Sequence, residues 1–160
     1  MVMDKIPIRK KLRLPEYDYT QPGAYFITVC THNRIEHFGS ISPSNTFKTA
    51  FVELNKTGLI VEEELNILSS CYPSVNVGSY VIMPNHVHFI LSLLNDDSPA
   101  VSEIIRLWKR CVTKRVGMSL WQKSFHDHVI RNEEDYERLL QYIENNPAQW
   151  ELDSLNPVNN

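Results

Sequence analysis

The chain has 160 residues, of which 42% are hydrophobic and 22% are charged. These values are typical of a soluble globular protein and exclude a disordered or fibrous chain. The length suits one domain that can bury a core without disulfides. No run approaches the roughly 18 apolar residues of a membrane span, and the N-terminus lacks a signal peptide, so we expect a cytoplasmic protein with no membrane partner.

The formal net charge of -3 argues against a nucleic-acid partner, because phosphate binding normally depends on a basic surface. The charges are distributed unevenly, however. Two segments are basic: residues 1 to 20, which we predict to form an irregular arm, and residues 101 to 125. A basic patch can therefore lie on an acidic protein. The candidate contacts to DNA phosphates are Arg9, Lys10, Lys11, Arg13, Arg106, Lys109, Arg110 and Lys114.

Strand signals surround one helix in the first half of the chain. Residues 24 to 31 follow a turn and are rich in aromatic and β-branched side chains, which predicts a strand. Residues 33 to 47 are typical of a loop. Residues 51 to 68 mix apolar positions with three consecutive glutamates and predict a helix, with an interruption at Gly58.

A hairpin and an amphipathic helix are predicted next. Residues 74 to 82 and residues 86 to 93 are strand-like runs separated by only three residues, which favours an antiparallel hairpin. Residues 102 to 116 predict a helix with one apolar side. Its other side carries a basic stripe with a spacing of four residues, formed by Arg106, Arg110 and Lys114.

The remaining elements complete the predicted fold. Residues 124 to 130 suit a short strand, and a helix is predicted from Glu133 to about Asn145, capped by Asn132 and ended by Pro147. The order of elements favours an α+β fold, a ferredoxin-like two-layer sandwich whose antiparallel sheet carries helices on one face. No linker or repeat is visible, so we predict a single domain over residues 1 to 160.

Two histidines on the predicted hairpin are candidate metal ligands. His86 and His88 flank Val87 on a strand, so both imidazoles lie on one face while Val87 points into the core. The same spacing also fits two exposed or hydrogen-bonded histidines without a metal. An additional oxygen ligand with open positions would suit Mg²⁺ or Mn²⁺, whereas further histidines would suit zinc.

The last predicted helix offers an oxygen ligand and a nucleophile. At about 100° per residue, the apolar stripe consists of Tyr136, Leu139, Leu140 and Ile143. Tyr142 lies off that stripe, and Asn146 follows it by one turn, about 40° away on the same edge. A phenol and an amide oxygen would then face the same neighbour. Alternatively, Tyr142 is a half-buried boundary residue and Asn146 a helix cap.

These motifs together resemble a known family, the single-tyrosine HUH transposases, and among them the REP-associated tyrosine transposases. The resemblance spans about residues 9 to 153. It depends on the segments YFITV (residues 25 to 29), VIMPNHVHFI (residues 81 to 90), WQKSFHDHVIR (residues 121 to 131) and YIENNP (residues 142 to 147).

The resemblance implies a transposase that cuts and rejoins single-stranded or hairpin-forming repeat DNA. His86, His88 and Asn146 would bind Mg²⁺ or Mn²⁺, and Tyr142 would form a covalent 5′-phosphotyrosine intermediate. The resemblance gives His128 a supporting role or a contact with DNA. Members of this family are commonly homodimers, and the sequence is compatible with either oligomeric state.

Two other functions remain open at this point. His126 and His128 would also share a strand face, and four histidines could form the site of a zinc hydrolase. A protein that binds DNA hairpins but has lost catalysis would keep the fold and the basic surface. Nothing in the residues alone decides the role of His126 and His128.

Overall fold

A computed structural model of the chain describes residues 17–42 and 50–159, and its centre is a four-stranded antiparallel sheet with the order β4-β5-β1-β6. The strands are β1 (Gly23–Cys30), β2 (Gly39–Ser42), β3 (Phe51–Leu54), β4 (Val75–Met83), β5 (His86–Leu93) and β6 (His126–Ile130). The helices are α1 (Lys56–Cys71), α2 (Val101–Val116) and α3 (Glu133–Asn145). Without the small β2-β3 hairpin, this is the βαββαβ arrangement of ferredoxin-like folds, which confirms the predicted class.

The predicted hairpin is present, and its turn consists of Pro84 and Asn85 alone. Strands β4 and β5 pair in antiparallel register, with Met83 opposite His86, and the register shifts once between Val77 and Tyr80. Strand β1 pairs with β5 on one side and with β6 on the other. The histidine-bearing strand β5 is therefore internal to the sheet.

The region before α1 differs from the sequence prediction. Residues 33 to 47 were expected to be a loop, but Gly39–Ser42 forms a strand that pairs with Phe51–Leu54. The predicted helix thus begins only at Lys56, where the Asn55 side chain accepts a hydrogen bond from the Gly58 backbone N–H. The apolar residues Phe51 and Val52 mimicked the start of a helix because a strand of four residues is too short to establish a period of two.

The helices lie on both faces of the sheet, which corrects the prediction of two layers with helices on one face. Tyr25 and Ile27 of β1 and Phe89 of β5 pack in the main core with α1 and α2. On the other face a smaller core joins Phe26 and Ile90 to the α3 residues Leu139 and Ile143. The pleat of β1 and β5 thus exposes a second apolar patch, and the narrow apolar stripe of α3 covers it.

Some of the sequence predictions concern residues outside the described ranges, including the predicted phosphate contacts Arg9, Lys10, Lys11 and Arg13. None of the helices in the described ranges has the length and apolar character needed to cross a membrane.

The sequence predicted an interruption of α1 at Gly58, but the helix continues through this residue. The packing requires a residue without a side chain at this position. A Cβ atom at this position would overlap the backbone carbonyl oxygen of the buried Phe38. Replacing glycine by alanine in a helix normally stabilises it by up to about 1 kcal/mol. Here the overlap with the backbone should make the same substitution destabilising.

We expect Gly58→Ala to lower the free energy of unfolding by about 1 to 3 kcal/mol, as measured by urea denaturation. Gly78→Ala is the control, because its Cβ would make ordinary contacts of 3.6 to 3.9 Å with Ile90. Equal stability of the two variants would contradict this account of the packing of Phe38 against α1.

Candidate metal and nucleophile site

The two β5 histidines are buried side by side on the face of the sheet that α3 covers. His86 is fully buried and His88 is 3% exposed. Their ring centroids are 4.6 Å apart, with the planes inclined by 70°. The structure thus brings the two imidazoles together as their spacing predicted, and it excludes the alternative of two exposed histidines.

A hydrogen-bond network fixes the tautomer of His86. The Asn85 amide nitrogen donates to the carbonyls of Arg34 and Leu155, at 3.0 and 2.8 Å, so its Oδ1 must be the acceptor that lies 2.8 Å from His86 Nδ1. His86 Nδ1 therefore carries the proton. Its Nε2 is left with a free lone pair, which is the form that binds a metal.

The partner of His88 allows the same arrangement. Its Nδ1 lies 2.7 Å from the hydroxyl oxygen of Thr28, on the neighbouring strand. A hydroxyl can accept the proton of Nδ1 and so leave Nε2 as a lone pair. Metal-bound histidines commonly donate their second N–H in this way, and the bond fixes the orientation of the ring.

Both histidines are neutral at neutral pH. Burial lowers the pKa of His86 to about 4, although the Asp153 carboxylate and the Asn146 amide oppose this shift. Burial and the neighbouring His86 lower the pKa of His88 well below its ordinary value. Two buried, neutral imidazoles are compatible with metal binding, which requires the unprotonated ring.

Three buried polar atoms at this site have no hydrogen-bond partner among the described residues: His86 Nε2, His88 Nε2 and Asn146 Oδ1. All three carry lone pairs. Leaving such atoms unpaired in an interior is costly, on the order of 1 to 3 kcal/mol each. The presence of all three atoms at one place fits a bound cation. Asn146, which is 1% exposed, lies at the histidine pair, as the period of the last predicted helix suggested.

Asp153 joins this group, which sequence reasoning missed. Its Oδ2 lies 3.9 Å from His86 Nε2, and its side chain is 7% exposed. His86, His88 and Asp153 offer ligand atoms that lie within 4.8 Å of one another. This His-Asp cluster is compatible with metal binding. A single aspartate in an acidic C-terminal stretch gave no signal in the sequence, because only the 3-10 turn Pro147–Leu152 carries it back to the histidines.

Tyr142 lies against the same pair. Its ring centroid is 5.2 Å from that of His88 and 5.9 Å from that of Phe26, and the side chain is 38% exposed. Burial and the Asp153 carboxylate raise the pKa of Tyr142, and the Asn146 amide opposes them. The phenol is therefore protonated at neutral pH, and a cation nearby would favour its ionisation.

The second histidine pair does not complete a four-histidine site. His126 and His128 lie opposite Thr28 and Phe26 on β1, so they share the face of the site but not its cluster. His128 Nε2 instead lies within hydrogen-bonding distance, 2.7 Å, of Asp135 Oδ2 in the first turn of α3. This contact links β6 to α3, and a role of His128 in the site or in DNA contact stays a prediction.

The basic stripe of α2 is exposed, but it belongs to the opposite layer. Arg106, Arg110 and Lys114 are all exposed, while α2 packs on the face of the sheet away from the histidines. Lys109 differs from them. Its ammonium donates to the carbonyls of Gln122 and Ser124, which use two of its three N–H groups, and burial lowers its pKa to about 8.

Known proteins are similar to most of this chain in sequence, and solved structures share its fold. No family model matches the sequence. An uncharacterized protein of Haemophilus influenzae is 30% identical over 172 residues, which cover 92% of each chain. A REP-associated tyrosine transposase of Escherichia coli is 26% identical over 82% of this chain and 70% of its own.

A solved structure of a REP-associated tyrosine transposase bound to a REP hairpin has the same fold. Its TM-score is 0.64 at 24% identity, over 85% of this chain and 74% of that one. The chain is related to the REP-associated tyrosine transposases in sequence and in fold. These homologues confirm the expectation of a transposase. The residues that carry out its reaction remain predictions.

The Thr28 hydroxyl should tune metal binding without touching the metal. Because it orients His88, Thr28→Val should weaken Mn²⁺ binding about 10- to 100-fold in calorimetric titration. Thr113→Val, on α2 in the opposite layer, is the control. An unchanged affinity in Thr28→Val would show that His88 does not bind the ion through Nε2.

Proposed function

We propose that this chain is a metal-dependent single-stranded DNA endonuclease and strand transferase that acts through a covalent 5′-phosphotyrosine intermediate. The observation that carries the proposal is the position of the Tyr142 ring, 5.2 Å from that of His88, beside three buried and unpartnered acceptor atoms. A nucleophile and a cation site therefore adjoin each other. The relationship to tyrosine transposases supports the same reaction.

His86, His88 and Asn146 would hold the metal ion, with Asp153 as a further oxygen ligand. Mixed imidazole and oxygen ligands, with room for a phosphate oxygen, suit Mg²⁺ or Mn²⁺. When bound, the ion supplies positive charge that polarises the phosphodiester and stabilises the transition state. The alternative of a zinc hydrolase is less well supported, because His126 and His128 lie outside the cluster.

Tyr142 acts as the nucleophile. Its oxygen forms a bond to phosphorus, the bond from phosphorus to the 3′ oxygen breaks, and the phenolic proton is lost as the leaving 3′ oxygen becomes a hydroxyl. The 5′ phosphate then stays on Tyr142. Attack by another 3′ hydroxyl reverses these bond changes and joins two strands without ATP.

We propose that one copy of the chain supplies the whole site. The contact between the rings of Tyr142 and His88 within a single described chain supports this arrangement over one shared by a homodimer. We propose that the chain acts as one domain on hairpin-forming DNA. The solved relative is bound to a REP hairpin, which supports this class of substrate.

The first test is covalent capture of DNA. An end-labelled hairpin oligonucleotide with single-stranded flanks, incubated with the protein and Mn²⁺, should give protein-linked label on a denaturing gel, and EDTA should prevent it. Tyr142→Phe should abolish the adduct because the attacking oxygen is gone, while hairpin binding persists. The control is Tyr136→Phe on the same helix, which packs against the small core and should retain the adduct.

The results separate the competing functions. An unaltered protein that binds the hairpin without forming an adduct would be a catalytically inactive binding protein. DNA hydrolysis that survives Tyr142→Phe, together with bound zinc in elemental analysis, would indicate a zinc hydrolase.

The second test concerns the basic stripe, which we propose binds DNA phosphates from the layer opposite the site. A triple variant with glutamine in place of Arg106, Arg110 and Lys114 should bind DNA with a weaker dependence on salt. The magnitude of the slope of log affinity against log salt should fall by about 2 to 3. Arg115→Gln should change the slope little, because Arg115 is paired with Glu63 and Glu64. An unaltered slope in the triple variant would show that the stripe is a solvent-exposed surface that does not contact DNA phosphates.

A further inference from the structure

A pocket of about 470 Å³ opens on the side of Tyr142 that faces the C-terminal segment. Its first four lining residues recur every three or four positions along α3 and the 3-10 turn that continues it, which places them on one side, and the other two directly follow the turn. The six residues are Tyr142, Asn146, Gln149, Leu152, Asp153 and Ser154. Asn146 and Asp153 belong to the proposed metal site, whereas Gln149 and Leu152 do not, and we call these last two residues the outer end of the pocket.

The outer end combines an apolar and a polar side chain. Leu152 is 87% exposed, so it contributes almost nothing to the core of this chain. Gln149 is also exposed and presents a carboxamide, which both donates and accepts hydrogen bonds. An apolar surface beside a carboxamide suits a flat ligand with an apolar face and a polar edge.

The charges of the pocket argue against a phosphate at the outer end. None of the six lining residues is a lysine or arginine, and Asp153 contributes a carboxylate. Among the lining residues a phosphate would therefore meet no positive charge, and the Arg34 guanidinium beside the pocket already donates to Ser154 O. The volume lies within the range of about 300 to 1,000 Å³ that is common for pockets that bind small molecules.

We propose that this pocket binds the unpaired nucleobase of the nucleotide next to the scissile phosphate. Leu152 packs on the face of the base, and the Gln149 carboxamide forms hydrogen bonds with the edge of the base, as amide side chains do in other complexes. The inference rests on the proposed function, because the nucleophile stands at the entrance. It adds a protein element that selects the base at the cut.

The test uses binding alone and therefore does not depend on cleavage. The Tyr142→Phe protein is mixed, in Mg²⁺, with a pool of hairpin oligonucleotides whose single-stranded flanks are randomised, and the bound DNA is sequenced. We expect about tenfold enrichment of one base at one flank position. An abasic site there should weaken binding about tenfold, because the packing of a base is lost.

Adding Leu152→Ala or Gln149→Ala to Tyr142→Phe should flatten that enrichment and remove the effect of the abasic site. The matched controls are Leu94→Ala, an exposed leucine past the far end of β5, and Gln141→Ala, an exposed glutamine of α3, and both should keep the preference. The inference is wrong if no flank position shows a preference, or if the preference survives both pocket variants. Adduct formation by the unaltered protein decides the proposed function separately.

Discussion

The Asn85 carboxamide holds the site together through three hydrogen bonds. It donates to the carbonyls of Arg34 and Leu155, and it accepts from His86 Nδ1. One side chain thus ties the β5 turn to two segments that are distant in the sequence and also sets the tautomer of His86. The Arg34 carbonyl it reaches belongs to a left-handed backbone conformation, with φ of 55°, which is costly for an arginine without such support. The Arg34 guanidinium in turn donates to Ser154 O, which fixes the segment that carries Asp153.

Burial explains the chemistry that this arrangement favours. Burial keeps both imidazoles unprotonated, and partial burial together with the Asp153 carboxylate raises the pKa of the Tyr142 phenol. Without a cation the site therefore combines unpartnered lone pairs with the Asp153 carboxylate and a protonated phenol. A divalent ion would satisfy the lone pairs, offset the carboxylate and favour the phenolate at once. A single ion would thus relieve several separate electrostatic costs. A metal site therefore explains this arrangement better than a pair of core histidines whose hydrogen bonds are all made within the protein.

The acidic net charge is compatible with a DNA partner because the charges are segregated. Glu63 and Glu64 on α1 neutralise Arg115, whereas Arg106, Arg110 and Lys114 remain exposed on α2. The sheet separates this stripe from the histidines. A DNA molecule that reaches both must therefore extend past an edge of the sheet, as a hairpin with a single-stranded flank could do. The stripe would then hold the structured part while the nucleophile acts on the flank.

Much of the fold and part of the site followed from local patterns in the sequence. The period of two in β5 placed His86 and His88 on one face, and the period of α3 placed Tyr142 and Asn146 on one edge, because both periods are properties of the backbone. Only the tertiary structure decided that α3 lies on the opposite side of the sheet from α1 and α2, since sequence periodicity does not indicate which face of a sheet a helix covers. It also decided that Asp153, Thr28 and Asn85 lie beside the two histidines, that main-chain carbonyls accept from Lys109, and that His126 lies apart from the cluster. These depend on contacts between residues far apart in the chain, which no local pattern encodes.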